Sequence, residues 1–370
     1  MPNLDILFSP YRLNTIELPN RVVMAPMTRS ASPSGVPSKE MAAYYRRRTE
    51  SGVGLIIAEA TGIERASSVN EPNVPLFYGN AALAGWKHVA DEVHAAGGRI
   101  MPQLWHVGQK RSNAYRNWNP AAPYESPSGL SLSGEKIGHP MTDTDIANTI
   151  DAFAKAAAQA ELLGFDGVEV HGGHNYLINQ FFDEDLNRRT DEYGGATLLE
   201  RSRFAVEVLR AIRRVVSPKF PVVLRLSQWK PKDIHARMAP TPNILETFLR
   251  VLIDAGADTL HLSQPRFSDA AFPECDATLN FAGWAKKLTG ITCITVGSVG
   301  LSGDAYATFA GHTASPAPLD QMLTQLEQGH YDLVAVGRAL LEDPNWLIKI
   351  RDNDVASLRS VTPDSLTRLH

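Results

Sequence analysis

Short apolar segments alternate with longer amphipathic segments along this chain, and no other feature restricts its fold as strongly. The apolar segments are rich in β-branched residues and nearly continuous in hydrophobicity, which is typical of parallel strands buried on both faces. They span residues 20–28, 53–63, 99–106, 167–173, 221–227, 259–263, 293–299 and 333–338. The sequence therefore predicts eight strands that alternate with helical segments.

The segments between the predicted strands carry helical signals. Apolar side chains in residues 142–164 recur at helical spacing, and Thr142 with Asp145 three positions later predicts a capped helix start. Gly164 predicts the end of this helix, because glycine adopts the left-handed conformation at little cost. The same order of glycine and then strand recurs in AAGGRIM, DAGADTLHL and EQGHYDLVAV.

Eight strand–helix units favour a closed barrel over an open, doubly wound sheet. An open dinucleotide-binding sheet has a G-x-G-x-x-G motif after its first strand, whereas MTRSASPSG follows here. We therefore predict an α/β fold with a single domain over residues 1–370, a (β/α)8 TIM barrel. Residues 107–141 follow the third strand as a long insertion rich in Pro, Ser and Gly, and we expect this insertion to form a lid over the C-terminal mouth.

Charge and cysteine content exclude several classes of partner and cofactor. With 36 Lys and Arg against 40 Asp and Glu, the formal charge of -4 argues against nucleic acid or an anionic membrane as the main partner. The N-terminal sequence shows no targeting signal and no segment is apolar for about 18 residues, so a cytoplasmic protein is expected. Cys275 and Cys293 are the only cysteines, which excludes a disulfide framework and a cysteine-ligated iron–sulfur cluster.

Residues near the ends of three strands indicate an anion site. A guanidinium buried among apolar strand residues is costly, so Arg225 in VVLRLS must face an anion or an electron-rich group. The loops after strands seven and eight of TIM barrels commonly bind phosphate, and here they contain Gly297, Gly337 and Arg338. The glycines would admit a phosphate close to the backbone, and Arg338 would offer its guanidinium fork. Two ordinary strand–helix turns would also account for these loops, but Arg225 favours the phosphate.

Two histidines and a tyrosine follow the fourth strand in the motif HGGHNY. His171, His174 and Tyr176 stand at the exit of a buried strand, where they either bind a metal ion or hold a polar ligand. Two histidines without a third ligand in the motif do not complete a zinc site, so we predict a polar ligand and no metal.

The chain resembles the Old Yellow Enzyme family of FMN-dependent ene-reductases over nearly its whole length. The most specific segments are NRVVMAPMTR, HGGHNYLINQFFDEDLNRRTDEYGG and VGRALLEDPNW. The resemblance implies a barrel that binds FMN and takes hydride from NADPH or NADH. It also implies that the substrate is a small, electron-poor alkene.

The resemblance further implies which residues hold FMN. The implied contacts of its ring are Pro26, Thr28, Ala60, Gln103 and Arg225, and those of its phosphate are Gly297, Ser298, Gly337 and Arg338. Thr28 would hydrogen-bond the pyrimidine-side carbonyl, and Arg225 would face the N1–C2=O region. Thr28 stands where some members of the family have Cys, which places the chain nearer the branch with Thr.

Four residues are implied to contact the substrate. His171 and His174 would hold its carbonyl or nitro oxygen as paired donors. Tyr176 would donate the proton, and Trp105 would shape the substrate pocket. Asn175 stands where glycine is common in the family, so the turn between the histidines and the tyrosine is expected to differ.

Some questions stay open at the level of sequence. The alternative to a flavin enzyme is a flavin-independent, phosphate-binding TIM-barrel lyase or isomerase. The physiological alkene, the preference between NADPH and NADH, the stereoselectivity and the choice between monomer and homo-oligomer are not encoded in these motifs.

Overall fold

The structure is a computed structural model that describes residues 3–112, 115, 118–131, 133–230 and 233–369. Strands β1 (Tyr11–Leu13) and β2 (Ile16–Leu18) form an antiparallel hairpin. The next strands form a closed parallel barrel: β3 (Val22–Met24), β4 (Leu55–Gly62), β5 (Ile100–Trp105), β6 (Val168–His171), β7 (Val222–Ser227), β8 (Thr259–Ser263), β9 (Thr292–Val296) and β10 (Leu333–Val336). Each barrel strand coincides with one of the eight predicted segments, so the predicted (β/α)8 barrel is confirmed.

Helices connect the barrel strands. They are α1 (Lys39–Glu50), α2 (Asn80–Ala95), α3 (Asp143–Leu162), α4 (Leu177–Phe182), α5 (Leu198–Arg201), α6 (Arg203–Val215), α7 (Pro242–Asp254), α8 (Phe281–Thr289), α9 (Ala305–Phe309), α10 (Asp320–Glu327), α11 (Arg338–Glu342) and α12 (Trp346–Arg351). Short 3-10 helices span Leu4–Ile6, Pro33–Gly35, Val355–Ser357 and Pro363–Leu366. In the described part of the chain, no helix is both long and apolar enough to cross a membrane.

Helix α3 has the start and end that the sequence predicts. The Thr142 hydroxyl accepts a hydrogen bond from the Asp145 N–H at 3.2 Å, and the Asp145 carboxylate accepts one from the Thr142 N–H at 3.0 Å. These bonds satisfy backbone donors at the helix start that have no partner within the helix. Gly164 follows the helix with a φ of 86°, the left-handed conformation that glycine favours.

The N-terminal hairpin, which the sequence analysis does not predict, closes the N-terminal end of the barrel. Its apolar side chains pack in one cluster with residues of the barrel strands. The cluster contains Leu13, Ile16, Leu18, Val23, Ala25, Leu55, Ile57, Met101, Val223, Ile294, Val296, Leu333 and Ala335. The hairpin therefore leaves the opposite end, where the strands terminate, as the place for a site.

The strand register brings polar side chains together near the C-terminal ends of the strands. His171 pairs with Arg225, and Arg225 pairs with His261 on the next strand. On the other side, Ala60 of β4 pairs with Gln103 of β5. Because parallel barrel strands end on one rim, these side chains lie at a similar height along the barrel axis, close to that rim.

Residues 107–141 form the long connection from β5 to α3. Positions 113, 114, 116, 117 and 132 of this connection lie outside the described residues. Within the described part, Leu130 and Lys136 form an antiparallel bridge. Near its start, Lys110 donates a hydrogen bond to the carbonyl oxygen of His174 at 3.0 Å. The connection therefore reaches the rim, while its closure over the mouth stays a prediction.

Candidate active site

The predicted site residues all lie near the C-terminal rim of the barrel. Pro26 and Thr28 follow β3; Ala60 lies in β4; Gln103 and Trp105 lie in β5; His171 ends β6; His174 and Tyr176 precede α4; Arg225 lies in β7; Gly297 and Ser298 follow β9; and Gly337 and Arg338 follow β10. Seven of the eight barrel strands thus contribute to one site, as is usual for enzymes with this fold.

The rings of His171, His174 and Tyr176 form one cluster. The ring centroid of His171 lies 5.1 Å from that of His174 and 4.9 Å from that of Tyr176. Trp105 packs edge to face against Tyr176 with a centroid distance of 5.0 Å. The fold therefore places two imidazoles and a phenol side by side, next to an aromatic wall.

The turn that carries this cluster has a left-handed backbone at two successive residues, His174 and Asn175, with φ of 60° and 59°. Two hydrogen bonds restrain His174: its N–H donates to Ser227 Oγ at 2.8 Å, and its Nε2 lies 2.8 Å from Ser263 Oγ. Asn175 tolerates this conformation better than most non-glycine residues, and its N–H donates to Asn179 Oδ1 at 2.8 Å. Asparagine therefore suits this turn, while the expected difference from other members of the family stays a prediction.

Burial sets the protonation states of the cluster. It lowers the pKa of His171 and of His174 well below the ordinary value of 6.5, and the positive charge of Arg225 lowers both further. Burial also raises the pKa of Tyr176 to about 12, with a smaller contribution from the Glu71 carboxylate. At neutral pH the site therefore presents two uncharged imidazoles and a protonated phenol.

We expect His171 and His174 to stay neutral from about pH 8 down to about pH 6, whereas an unperturbed imidazole gains a proton in this interval. The lowered pKa of both residues is the reason. Nitrogen-15 NMR of histidine-labelled protein measures the protonation state, and spectra of His171→Ala and His174→Ala assign the two signals. A doubly protonated imidazole at either position at pH 6 would contradict the expectation.

Arg225 is buried with an unused donor. Its side chain is 6% exposed, and its Nε atom has no hydrogen-bond partner among the described residues. Glu169 contributes negative charge nearby, but its two oxygens are bound by Gln103 Nε2 and by His261 Nδ1, each at 2.6 Å. Because a buried donor without a partner is costly, Arg225 fits a ligand that brings an acceptor to it.

The segment that carries Pro26 and Thr28 is held by the buried carboxylate of Glu59. The Arg29 N–H donates to Glu59 Oε2 at 2.8 Å, and the Tyr45 hydroxyl donates to Oε1 at 3.4 Å. Thr28 is exposed, and its hydroxyl has no hydrogen-bond partner in the described part of the chain. This hydroxyl is therefore available to a ligand at the rim.

The exits of β9 and β10 present backbone donors. Gly297 has a φ of 146°, and a Cβ there would lie 2.4 Å from the Gln264 carbonyl oxygen, so packing within the chain itself requires glycine. The next residue, Ser298, is left-handed with a φ of 54°. The N–H groups of Ser298 and Gly337 donate to no backbone acceptor among the described residues. Adjoining loops with free N–H groups suit an anion such as phosphate.

Arg338 is engaged within the chain rather than free. Its Nη1 donates to the Asp304 carbonyl oxygen at 2.9 Å and to Thr308 Oγ1. Its Nη2 donates to the Gly303 carbonyl oxygen at 2.6 Å and to Ser298 Oγ at 3.1 Å. The sequence predicted that this guanidinium fork binds phosphate oxygens. In the structure the fork instead binds the loop segments that surround the free backbone N–H groups. Its positive charge still lies beside them.

Residues 6–355 match the NADH:flavin oxidoreductase / NADH oxidase family, the family of Old Yellow Enzyme. The chain belongs to this family. The expectation drawn from the sequence motifs is thereby confirmed, and the match includes the whole barrel.

Individual members of the family are similar to this enzyme over most of its length. It is 33% identical over 369 residues to 12-oxophytodienoate reductase 7 of Oryza sativa subsp. japonica, which covers 94% of this chain and 88% of that protein. The structure of morphinone reductase in complex with tetrahydroNAD superposes with a TM-score of 0.77 at 29% identity, covering 97% of this chain and 93% of that chain. An Old Yellow Enzyme homologue from Zymomonas mobilis superposes with a TM-score of 0.78 at 25% identity, covering 98% and 96%.

The enzyme is an FMN-dependent oxidoreductase of the ene-reductase class, with NADH or NADPH as hydride donor. The residues at the rim fit this cofactor. The unpaired Nε of Arg225 suits an acceptor of the flavin ring, and the free N–H groups of Ser298 and Gly337 suit its phosphate. Membership of an FMN-binding family excludes the flavin-independent lyase or isomerase.

Glu169, Trp229 and Lys110 are among the residues at the rim that no sequence pattern assigned to the site. Glu169 binds Gln103 and His261 and lies beside Arg225; a carboxylate in the centre of the apolar strand GVEVH was a signal for it. Trp229 stacks on the His174 ring with a centroid distance of 5.2 Å and an interplanar angle of 22°. Lys110 is the third, and neither it nor Trp229 has a spacing that marks it as a site residue.

Proposed function

We propose that the enzyme reduces the C=C bond of α,β-unsaturated ketones, aldehydes and imides and of nitroalkenes. The observation that carries this proposal is the cluster of His171, His174 and Tyr176, whose protonation states suit hydrogen-bond and proton donation. When bound beside Arg225 and Thr28, FMN would supply the hydride for the β-carbon of the alkene, after taking it from the nicotinamide.

The histidines stabilise the charge that develops on the substrate. As hydride reaches the β-carbon, negative charge accumulates on the carbonyl or nitro oxygen. His171 and His174 donate hydrogen bonds to that oxygen, and donors that are already oriented in a buried site need little reorganisation. The Nδ1 atom of His171 accepts a bond from the Gly173 N–H at 3.4 Å, which favours the tautomer with its proton on Nε2. That proton is the one available to the substrate.

Tyr176 completes the reduction by giving its hydroxyl proton to the α-carbon. Its pKa of about 12 keeps the proton on the phenol at neutral pH. Its ring is fixed between Trp105 and His171, at centroid distances of 5.0 Å and 4.9 Å. A donor in a fixed position accelerates such a proton transfer by about 10²- to 10⁴-fold.

The residues assigned to FMN divide into two groups. Pro26, Thr28, Ala60, Gln103 and Arg225 would contact the ring, and Gly297, Ser298, Gly337 and Arg338 would surround the phosphate. In the first group, the cation of Arg225 favours negative charge on the ring and the Thr28 hydroxyl can donate to a ring carbonyl. In the second, backbone N–H groups bind phosphate and Arg338 holds them in place.

Replacing Arg338 by alanine is expected to weaken FMN binding by about 1.5–3 kcal/mol, the range of one interaction with a charged group. The variant loses the positive charge beside the phosphate and the bonds to Ser298 and Gly303. Fluorescence titration of the apoprotein with FMN measures the affinity. Arg338→Lys keeps the charge without the fork, so it should recover only part of the loss. An unchanged affinity in Arg338→Ala would contradict this role.

The proposed reaction is tested by separating its two half-reactions under anaerobic conditions. NADPH and NADH are each mixed with the oxidised holoenzyme, and the bleaching of the flavin absorbance gives the dinucleotide preference. The reduced enzyme is then mixed with a panel of enones, enals, maleimides and nitroalkenes. We expect reoxidation with formation of the saturated product. An enzyme that NADPH or NADH reduces but that no activated alkene reoxidises would contradict the proposal.

We also propose that a small electron-poor alkene, rather than nucleic acid or a membrane, is the partner of the enzyme, and that the enzyme works in the cytoplasm. The formal charge of -4 supports the first statement. The second is supported by the cysteines: Cys275 is exposed and Cys293 is buried, and both are free thiols. An exposed free thiol suits a reducing compartment.

A further inference from the structure

Lys110 brings a positive charge to the substrate side of the active site. It lies five residues after the end of β5, at the start of the connection 107–141, and its side chain is partly buried. Its Nζ donates to the His174 carbonyl oxygen at 3.0 Å and lies 4.4 Å from the centroid of the Tyr176 ring. The ammonium group therefore stands beside the proposed proton donor and the proposed oxygen-binding pair.

This ammonium group has no negative partner among the residues that the structure describes. Lys110 forms no ion pair with the described residues, and burial alone lowers its pKa to about 8, without a compensating carboxylate. Glu71, the carboxylate that raises the pKa of Tyr176, accepts a hydrogen bond from Ser30 Oγ at 3.0 Å instead. An ammonium group has three N–H donors, and the His174 carbonyl occupies one of them.

A partly buried cation with unused donors costs free energy unless an anion joins it. Arg225 and Lys110 both lower the pKa of the two histidines, so two positive charges lie close to this pair. The walls are aromatic, with Trp105 against Tyr176 and Trp229 against His174. A ligand that matches this side has an apolar body and one anionic group.

We propose that Lys110 binds a carboxylate of the substrate, so that the preferred alkenes are anionic, with the carboxylate close to the carbon that Tyr176 protonates. This inference rests on the proposed function, because it names the class of alkene that the same site takes. The contact of Nζ with the Tyr176 ring indicates where the carboxylate would bind. Because Tyr176 is the proposed proton donor to the α-carbon, a carboxylate bound to Nζ would lie next to that carbon rather than at the activating oxygen.

The test compares one substrate in two charge states. A cyclohexenone with a carboxymethyl group on its α-carbon is assayed beside its methyl ester, and the ratio of the two kcat/KM values is the readout. We expect Lys110→Gln to lower kcat/KM for the acid by about 10- to 100-fold, the loss of one charge-assisted contact, and to change that for the ester much less. Lys110→Arg should keep the preference for the acid.

A matched control removes the same charge from the same connection. Lys136 is exposed and forms an antiparallel bridge with Leu130. Lys136→Gln should leave the ratio unchanged, which separates a local contact from the general attraction of an anion. Isothermal calorimetry with the saturated acid and its ester, which cannot be reduced, provides a second readout. The affinity for the acid should fall selectively in Lys110→Gln.

Two results would overturn the inference. If acid and ester lose the same factor in Lys110→Gln, then Lys110 only holds the loop through the His174 carbonyl. If the acid-to-ester ratio is unchanged but flavin reduction by NADPH slows while reduction by NADH does not, the anion is the 2′-phosphate of NADPH. Failure of the proposed function has a different signature, because the wild-type enzyme would then reduce neither acid nor ester, while calorimetry would still report on Lys110.

Discussion

Replacing His171 by alanine is expected to slow reoxidation of the reduced enzyme by an enone by a factor equivalent to about 2–4 kcal/mol. The side chain is only 4% exposed, so water cannot easily take the place of the lost donor. His171 would offer its Nε2 to the substrate, whereas His174 would offer its Nδ1, because Nε2 of His174 already lies 2.8 Å from Ser263 Oγ. Anaerobic stopped-flow spectroscopy measures the rate at saturating and limiting enone.

The controls for His171 separate hydrogen bonding from packing. His171→Asn retains an N–H donor of smaller size, so we expect it to lose less than His171→Ala. Phenols place an oxyanion at the proposed oxygen position, and their binding to the oxidised enzyme should weaken in the alanine variant as well. If enone reoxidation and phenol affinity were both equal to those of the wild type, His171 would have no part in binding the oxygen.

The barrel was predictable because its signals are local. The buried strands are largely continuous apolar segments, and helix α3 begins at a capping residue, Thr142, and ends before a glycine, Gly164. The β1–β2 hairpin was not predictable in the same way. Its strands contain three residues each, too few for an alternating pattern, and it forms because Leu13, Ile16 and Leu18 complete the apolar end of the barrel. That cause lies in residues far along the chain.

The site was predictable as far as it follows from strand ends. Residues at the C-terminal ends of barrel strands converge by geometry, so Gln103, His171 and Arg225 could be placed together from the strands alone. What sequence could not supply is the choice of partner at each side chain. The position of Arg338 after β10 places its guanidinium near the rim whether it binds a phosphate or its own chain. Only the structure shows that it binds Gly303 and other groups of its own chain.

Lys110 illustrates the same limit. It lies in a connection without regular structure, and 64 positions separate it from the carbonyl oxygen that it binds in His174. No periodicity or motif relates the two residues. In contrast, Glu169 has a signal in the sequence, since an ionisable residue in the middle of an apolar strand requires a buried partner. His261 is one of the partners of Glu169, and it likewise lies in the middle of an apolar strand, TLHLS.

Tyr176→Phe is expected to slow reduction of an enone by about 10²-fold or more, because the variant lacks the only proton assigned to the α-carbon. The ring itself is retained, so its contacts with Trp105, His171 and Lys110 should persist. Flavin reduction by NADPH and binding of phenols should therefore stay close to wild type. Stopped-flow measurements of each half-reaction, with phenol titrations of the oxidised enzyme, test these expectations.

Nitroalkenes supply the comparison that isolates the proton. After hydride transfer a nitroalkene becomes a nitronate, which is stable enough to leave the site and to take its proton from water, whereas an enone needs the proton while bound. Tyr176→Phe should therefore slow the enone much more than the nitroalkene. Equal slowing of both substrates would show that the Tyr176 hydroxyl acts at a step that both substrates share, and not in protonation of the α-carbon. An unchanged enone rate would show that the proton comes from another group.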